Sequence, residues 1–247
     1  FVIDSLSQES SIKVREILKR RLVDEDINIV YTAIEYLGNL QDRESADQIE
    51  SFLFDSDNLM VRCASLLSLS KIKHSPNRDK VIENYSNIEN PMIVFPFLKY
   101  LEVFGTESAF PYIEMLLDAN NQIYGKEIID AVQGIIESNE LSQIPESLKM
   151  KLESVAHTMS NNVNRYELTK LLSRLEGKDS LPEVREMLRE RNEISKLGAI
   201  EILGEIGDES DIERLEAIAE ETDSDELLEA IGDAVEKISE RLEKGDE

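Results

Sequence analysis

The sequence predicts an all-α fold, an α-α superhelix of about seven stacked helical pairs forming a single domain over residues 1–247. Three observations carry this. Apolar anchors recur at Leu37, Leu69, Leu101, Val132, Leu172, Leu203 and Val235, with spacings of 32, 32, 31, 40, 31 and 32 residues. A period of that length marks a solenoid, in which each small unit buries its apolar face only by stacking on its neighbours. Within a period, apolar residues return every three or four positions, as in Val61, Ala64, Leu66, Leu69 and Ile72, the pattern of a helix buried along a wide stripe. No stretch alternates strictly between apolar and polar, and 10 Gly and 6 Pro are too few for a turn-rich β-sandwich.

Taken in chain order, Ile12 to Leu22 reads as a lone second helix, its first helix missing or reduced to Val2 through Leu6. With Phe1 as the opening residue, this is the pattern expected of a piece of a longer or processed protein. First helices then run through Ile29–Asp42, Val61–His74, Ile93–Thr106 and Ser195–Asp208. Gly38, Gly105, Gly177 and Gly207 fall near their ends, where a left-handed glycine is expected to stop a helix. Ser45, Ser108, Ser180 and Ser210 are expected to cap the second helices, and Pro111 and Pro182 fit their first turns. The 40-residue interval predicts an irregular, longer loop near 137–147, inside the fourth pair, with a break in curvature. Residues 205–247 hold 18 acidic and 4 basic side chains, the composition of a polar end cap on a stack.

The core Ala199-Ile200-Glu201-Ile202-Leu203-Gly204-Glu205-Ile206-Gly207-Asp208, within Ile194–Leu215, resembles the HEAT repeat family, as does the Val61-Arg62 pair opening a first helix. The nearest pattern is that of the short HEAT-like repeats first associated with phycobilisome lyases. The resemblance runs from about Leu22 to about Leu242 and implies a HEAT-like solenoid. It implies little about activity, because the matching residues are packing and turn positions on a scaffold that serves unrelated tasks.

Charge and chemistry narrow the function classes. Lys and Arg total 27 against 52 Asp and Glu, and a net charge of −25 argues against nucleic acid and anionic membranes as partners. The densest positive cluster, Lys13, Arg15, Lys19, Arg20 and Arg21, is expected to pair with neighbouring acids or to provide a small anionic contact. The single cysteine, Cys63, excludes an intramolecular disulfide and suits a reducing, cytoplasmic setting. The longest apolar block, Met92 to Leu98, is 7 residues, too short for a membrane span. Neither His74 nor His157 is followed by Glu, so the His-Glu pairs of HEAT-repeat hydroxylases and the His-Glu-x-x-His zinc motif are both missing. Cys63 reads as a small core residue, Gly204-Glu205-Ile206-Gly207 as a helix stop, and Asp55-Ser56-Asp57-Asn58 and Asp223-Ser224-Asp225-Glu226 as caps rather than calcium loops. These readings assign no catalytic residue, no metal ligand and no cofactor, and they predict a chain without enzymatic activity.

A binding surface follows from the register. In HEAT-like stacks the second helices line the concave side. With Ile49, Ile113, Val184 and Leu215 as a buried row, Gln48, Tyr112 and Glu183 come just before it and Met115 two residues after. Lys80 and Glu83 take the same places in the second repeat. Gln48, Lys80, Glu83, Tyr112, Met115 and Glu183 are therefore the expected partner-binding residues, with Tyr112 and Met115 as anchors. Eight of the fourteen Phe and Tyr residues lie between Tyr85 and Tyr124, in the same region. The expected function is a monomeric protein-binding scaffold whose concave groove takes a basic partner. A bilin lyase or cofactor chaperone is the alternative that the resemblance allows. A regulatory repeat domain of a larger signalling protein is another.

Overall fold

The computed structural model describes the backbone of residues 2–88, 90–118, 124–158 and 162–245, and the side chains of 12–88, 90–118, 124–155 and 164–245. Every regular element among the described residues is helical. In order these are α1 (Val2–Arg21), α2 (Ile27–Asn39), α3 (Ala46–Asp55), α4 (Leu59–Ile72), α5 (Arg78–Tyr85), α6 (Pro91–Phe104) and α7 (Phe110–Asp118). There follow α8 (Gly125–Ser138), α9 (Glu146–Thr158), α10 (Asn162–Glu176), α11 (Leu181–Met187), α12 (Glu193–Ile206), α13 (Glu209–Glu221) and α14 (Asp225–Glu243). The anchors fall on even-numbered helices, which are the first helices of the pairs. All are buried except Val235, which is half-buried on the last one. The N-terminal stretch read as a lone second helix is instead continuous from Val2, as α1. The chain divides into two compact units, Phe1–Leu141 and Ser142–Glu247. Their boundary lies in the loop 139–145 between α8 and α9.

Five first helices open on a side chain that accepts a hydrogen bond from their free amides. Asp26 accepts from Asn28, Asn58 from Val61, Asn90 from Met92, Asn192 from Ser195 and Ser224 from Leu227. Each stands at the same register position, on the order of three turns before its anchor. Such a cap stabilises a helix by about 1 kcal/mol.

The second helices start differently from expectation. The Ser45 and Ser180 hydroxyls turn back to the Asp42 and Gly177 carbonyls. Asp208, not Ser210, caps α13, in a reciprocal box with Asp211. Helix ends differ too. Of the four glycines, only Gly177 is left-handed, at φ 57°, while Gln41, Lys73 and Glu140 take that conformation without being glycine. Gly38 lies inside α2 and serves close approach, since a Cβ there would sit 2.5 Å from Ser68 Oγ of α4.

That approach recurs along the first helices. In the N-terminal unit α2, α4, α6 and α8 pack in succession along their lengths, and Ser68 Oγ donates to the Ile34 carbonyl across one such seam at 2.9 Å. In the C-terminal unit α10, α12 and α14 do the same. Consecutive second helices are shorter and hardly meet. Within each unit the first helices are therefore the more closely packed layer.

The core of the N-terminal unit carries an aromatic seam. Phe97 lies 5.7 Å from Tyr85, 6.3 Å from Tyr100 and 5.1 Å from Tyr112, ring centre to ring centre. Buried Glu50 ties successive repeats together by accepting from Ser75 Oγ and from the backbone and side-chain nitrogens of Asn77. The C-terminal core gathers Leu181, Val184, Ile200, Leu203, Leu215, Ile231 and Ile238. There Arg241 closes α12 by donating to the carbonyls of Gly204 and Gly207, satisfying oxygens that a helix end leaves free.

Candidate functional site

The structure corrects one member of the row predicted from the second helices, Tyr112. Ile49, Ile113, Val184 and Leu215 are fully buried, as the register requires. Tyr112, however, is only 1% exposed. It stands edge-on to Phe97, its hydroxyl meets no hydrogen-bond partner, and burial pushes its pKa well above the ordinary tyrosine value. The reason is the phase of α7, whose buried residues are Phe110, Tyr112, Ile113 and Leu116. In α3 the corresponding stripe leaves Gln48 in solvent. Tyr112 is therefore a core residue and not a docking anchor. Met115 is half-buried, Gln48 and Glu83 are exposed, and Glu183 is half-buried in the other unit. Lys80 is held over the Phe54 ring, 4.1 Å from its centre. Within the basic cluster of α1, Arg15 is bound to Asp42, Lys19 to Glu44 and Arg21 to Asp24.

Exposed apolar side chains lie chiefly on the other layer. Ile27, Ile29 and Tyr36 of α2, Met60 of α4, Met92 and Phe95 of α6, Ile194 of α12 and Leu228 of α14 are all exposed. On α3, α5, α7, α11 and α13 no large hydrophobic residue is exposed, while α1 and α9 contribute Ile12, Val14, Ile17 and Met150. Cys63 lies between α4 and α6 and has a structural task. Pro96, inside α6, lacks the amide that would bond to the Met92 carbonyl. The Cys63 thiol donates to that carbonyl at 3.3 Å, and burial pushes its pKa up, away from the thiolate a nucleophile needs.

In the C-terminal unit the first helices frame a cleft of about 600 Å³. Its floor is apolar, made of Ile194, Leu197, Gly198, Ala230 and Ala234. Gly198 matters to that floor, because a Cβ there would sit 2.2 Å from the Tyr166 ring. Tyr166 donates to Glu201, which also receives Lys170. Desolvation acts to raise the Glu201 pKa, but the Lys170 and Tyr166 bonds outweigh it and leave it lowered. The remaining rim is Glu167, Glu226, Glu229, Asp233 and Lys237. Glu167, Glu226, Glu229 and Asp233 make no ion pair or side-chain hydrogen bond among the described residues.

No other chemical site stands out. Asn58 and Ser224, taken from the two acidic loops, cap α4 and α14. The His74 ring faces Arg43 at 3.4 Å, and the side chain of His157 lies outside the described residues. Among the described residues there is no group of three metal-ligating side chains, and no helix is long and apolar enough to cross a membrane.

The family described as HEAT repeats matches residues 150–236. No curated protein matches the sequence. Among solved structures, the complex of CpcE and CpcF of phycocyanin lyase from Nostoc sp. PCC7120 is similar at TM-score 0.50 and 16% identity, covering 91% of this chain and 94% of that one. Human deoxyhypusine hydroxylase in complex with glycerol is similar at TM-score 0.36 and 15% identity, covering 94% of this chain and 89% of that one. The fold is thus the α-α superhelix of a HEAT-like solenoid. One expectation is overturned here. The same fold belongs to a phycocyanin lyase, so the prediction of a chain without enzymatic activity does not stand.

Proposed function

We propose that this chain, with HEAT repeats over residues 150–236, is a protein-binding repeat module that docks a basic partner on its first-helix layer. The observation that carries the reading is the distribution of exposed apolar side chains. Met60, Met92, Phe95, Ile194 and Leu228 face solvent from first helices, whereas α3, α5, α7, α11 and α13 expose no large apolar residue and α1 and α9 expose Ile12, Val14, Ile17 and Met150. Methionine and aromatic side chains on an exposed face suit protein interfaces, where a few such anchors supply most of the binding energy. The net charge of −25 favours a basic partner and would speed its encounter. The similar solved structure is itself a complex of two proteins.

The test is affinity isolation from the native host at graded salt. A specific partner should be basic, and its retention should fall as salt exceeds physiological strength and charges are screened beyond about 8 Å. Retention of an acidic partner, or of one indifferent to salt, would contradict the reading. A second reading, a bilin lyase or cofactor chaperone, draws support from the fold and from the cleft of about 600 Å³. Four carboxylates with no cation partner around that cleft oppose a ligand that carries propionates. An absorbance change on mixing with a bilin would favour this second reading over the first.

A further inference from the structure

Resting on the reading of a basic protein partner, we infer that the cleft framed by α10, α12 and α14 seats a short basic amphipathic helix of that partner. The floor of Ile194, Leu197, Gly198, Ala230 and Ala234 offers apolar surface to a ligand's apolar face. Glu226, Glu229 and Asp233 follow one another on α14 at spacings of three and four residues, so they line one side of that helix over about two turns. Glu167 stands across from them on α10. None of these four has a cation partner, whereas Glu201 in the same cleft is held by Lys170. Covering unpaired carboxylates with a neutral apolar body would strip their water without return, so an occupant must bring its own cations. Lysine or arginine spaced three and four apart beside leucine-like residues, on a partner helix, meets both demands at once. Docking of an amphipathic helix into a groove is a common mode of peptide recognition.

The probe is a fluorescein-labelled helical peptide of leucine and lysine in amphipathic register, titrated with the full chain by fluorescence anisotropy at physiological salt. Glu229→Lys with Asp233→Lys should weaken binding by about tenfold or more. Both side chains are exposed and unpaired, so the melting temperature should not move. Ile194→Ser should weaken binding as well, through the floor. Glu213→Lys with Glu216→Lys, the same charge change on exposed positions of α13, should leave binding unchanged. Equal weakening by the α13 pair would overturn the cleft assignment and leave the salt-dependent docking reading in place. Indifference to Ile194→Ser, with spermine displacing the peptide at equal affinity, would show a site for polycations and overturn the amphipathic occupant. Absence of any salt-sensitive peptide binding would overturn the inference, while partner isolation at graded salt would separately decide the broader reading.

Discussion

Pro96 sits in the interior of α6 without an amide hydrogen, and the Met92 carbonyl it leaves free takes the Cys63 thiol from α4 at 3.3 Å. The two residues make one device, so their substitutions should not add. Cys63→Ala should cost about 1 kcal/mol in urea denaturation, and clearly less in a Pro96→Ala background where α6 supplies its own bond. Equal costs in both backgrounds would show that the thiol serves only as filler. Tyr112 belongs to this scale too. Its ring is buried against Phe97 and its hydroxyl is unpartnered. Tyr112→Ala should therefore cost on the order of 3 to 5 kcal/mol. Tyr112→Phe should be neutral or stabilising, since it removes a buried oxygen that has no bond to lose. From the sequence alone Tyr112 could be placed only by its offset from Ile113, and that offset leaves Gln48 in solvent on α3. What differs is the neighbour. A large ring on α7 finds the edge of Phe97 on α6, a contact that no spacing rule within α7 encodes.

Arg185 shows what joins one element to the next. From α11 its guanidinium reaches Asp211 and Asp208 at the start of α13, each bond 2.8 Å, and Asp211 is fully buried. Arg185→Ala would leave that buried carboxylate without its main cation and should cost about 3 kcal/mol or more in thermal or chemical denaturation. A loss under about 0.5 kcal/mol, the size expected of a surface pair, would contradict this. Asp208 predicts a pH response. The Ser210 hydroxyl foremost, then Arg185, holds its carboxyl below the ordinary range despite opposing desolvation. A depressed folded pKa contributes stability that is complete above the unfolded value of about 3.9 and is lost as pH falls through the folded value. Asp208→Asn should flatten that acid limb of the stability curve. The starts of the first helices are legible in the sequence. Asp26, Asn58, Asn90, Asn192 and Ser224 share one register position, and all five cap first helices. The serines expected to cap second helices were less legible, because a hydroxyl can turn to a carbonyl instead, as Ser45 and Ser180 do.

Over the whole molecule, the leucine and glycine period determines the class of fold, and its one long interval marks where the two compact units divide. Circular dichroism should show a mostly helical protein with negligible strand signal, unchanged by chelators. Legibility stops at the choice of layer. Both helices of a pair carry an apolar stripe, and periodicity alone does not reveal which layer is more closely spaced. That is decided by contacts between repeats, such as Gly38 against Ser68, where a small residue admits the neighbouring helix. Tyr112 is buried on α7, whereas Met60, Met92, Ile194 and Leu228 are exposed on first helices. The most direct test is site-specific photo-crosslinking of the full chain with its isolated partner, the photoreactive residue placed singly in either layer. Crosslinks should form from Met60, Met92 and Leu228 on first helices and fail from Gln48, Glu83 and Glu183 on second helices. Crosslinking from the second-helix positions alone would contradict the account.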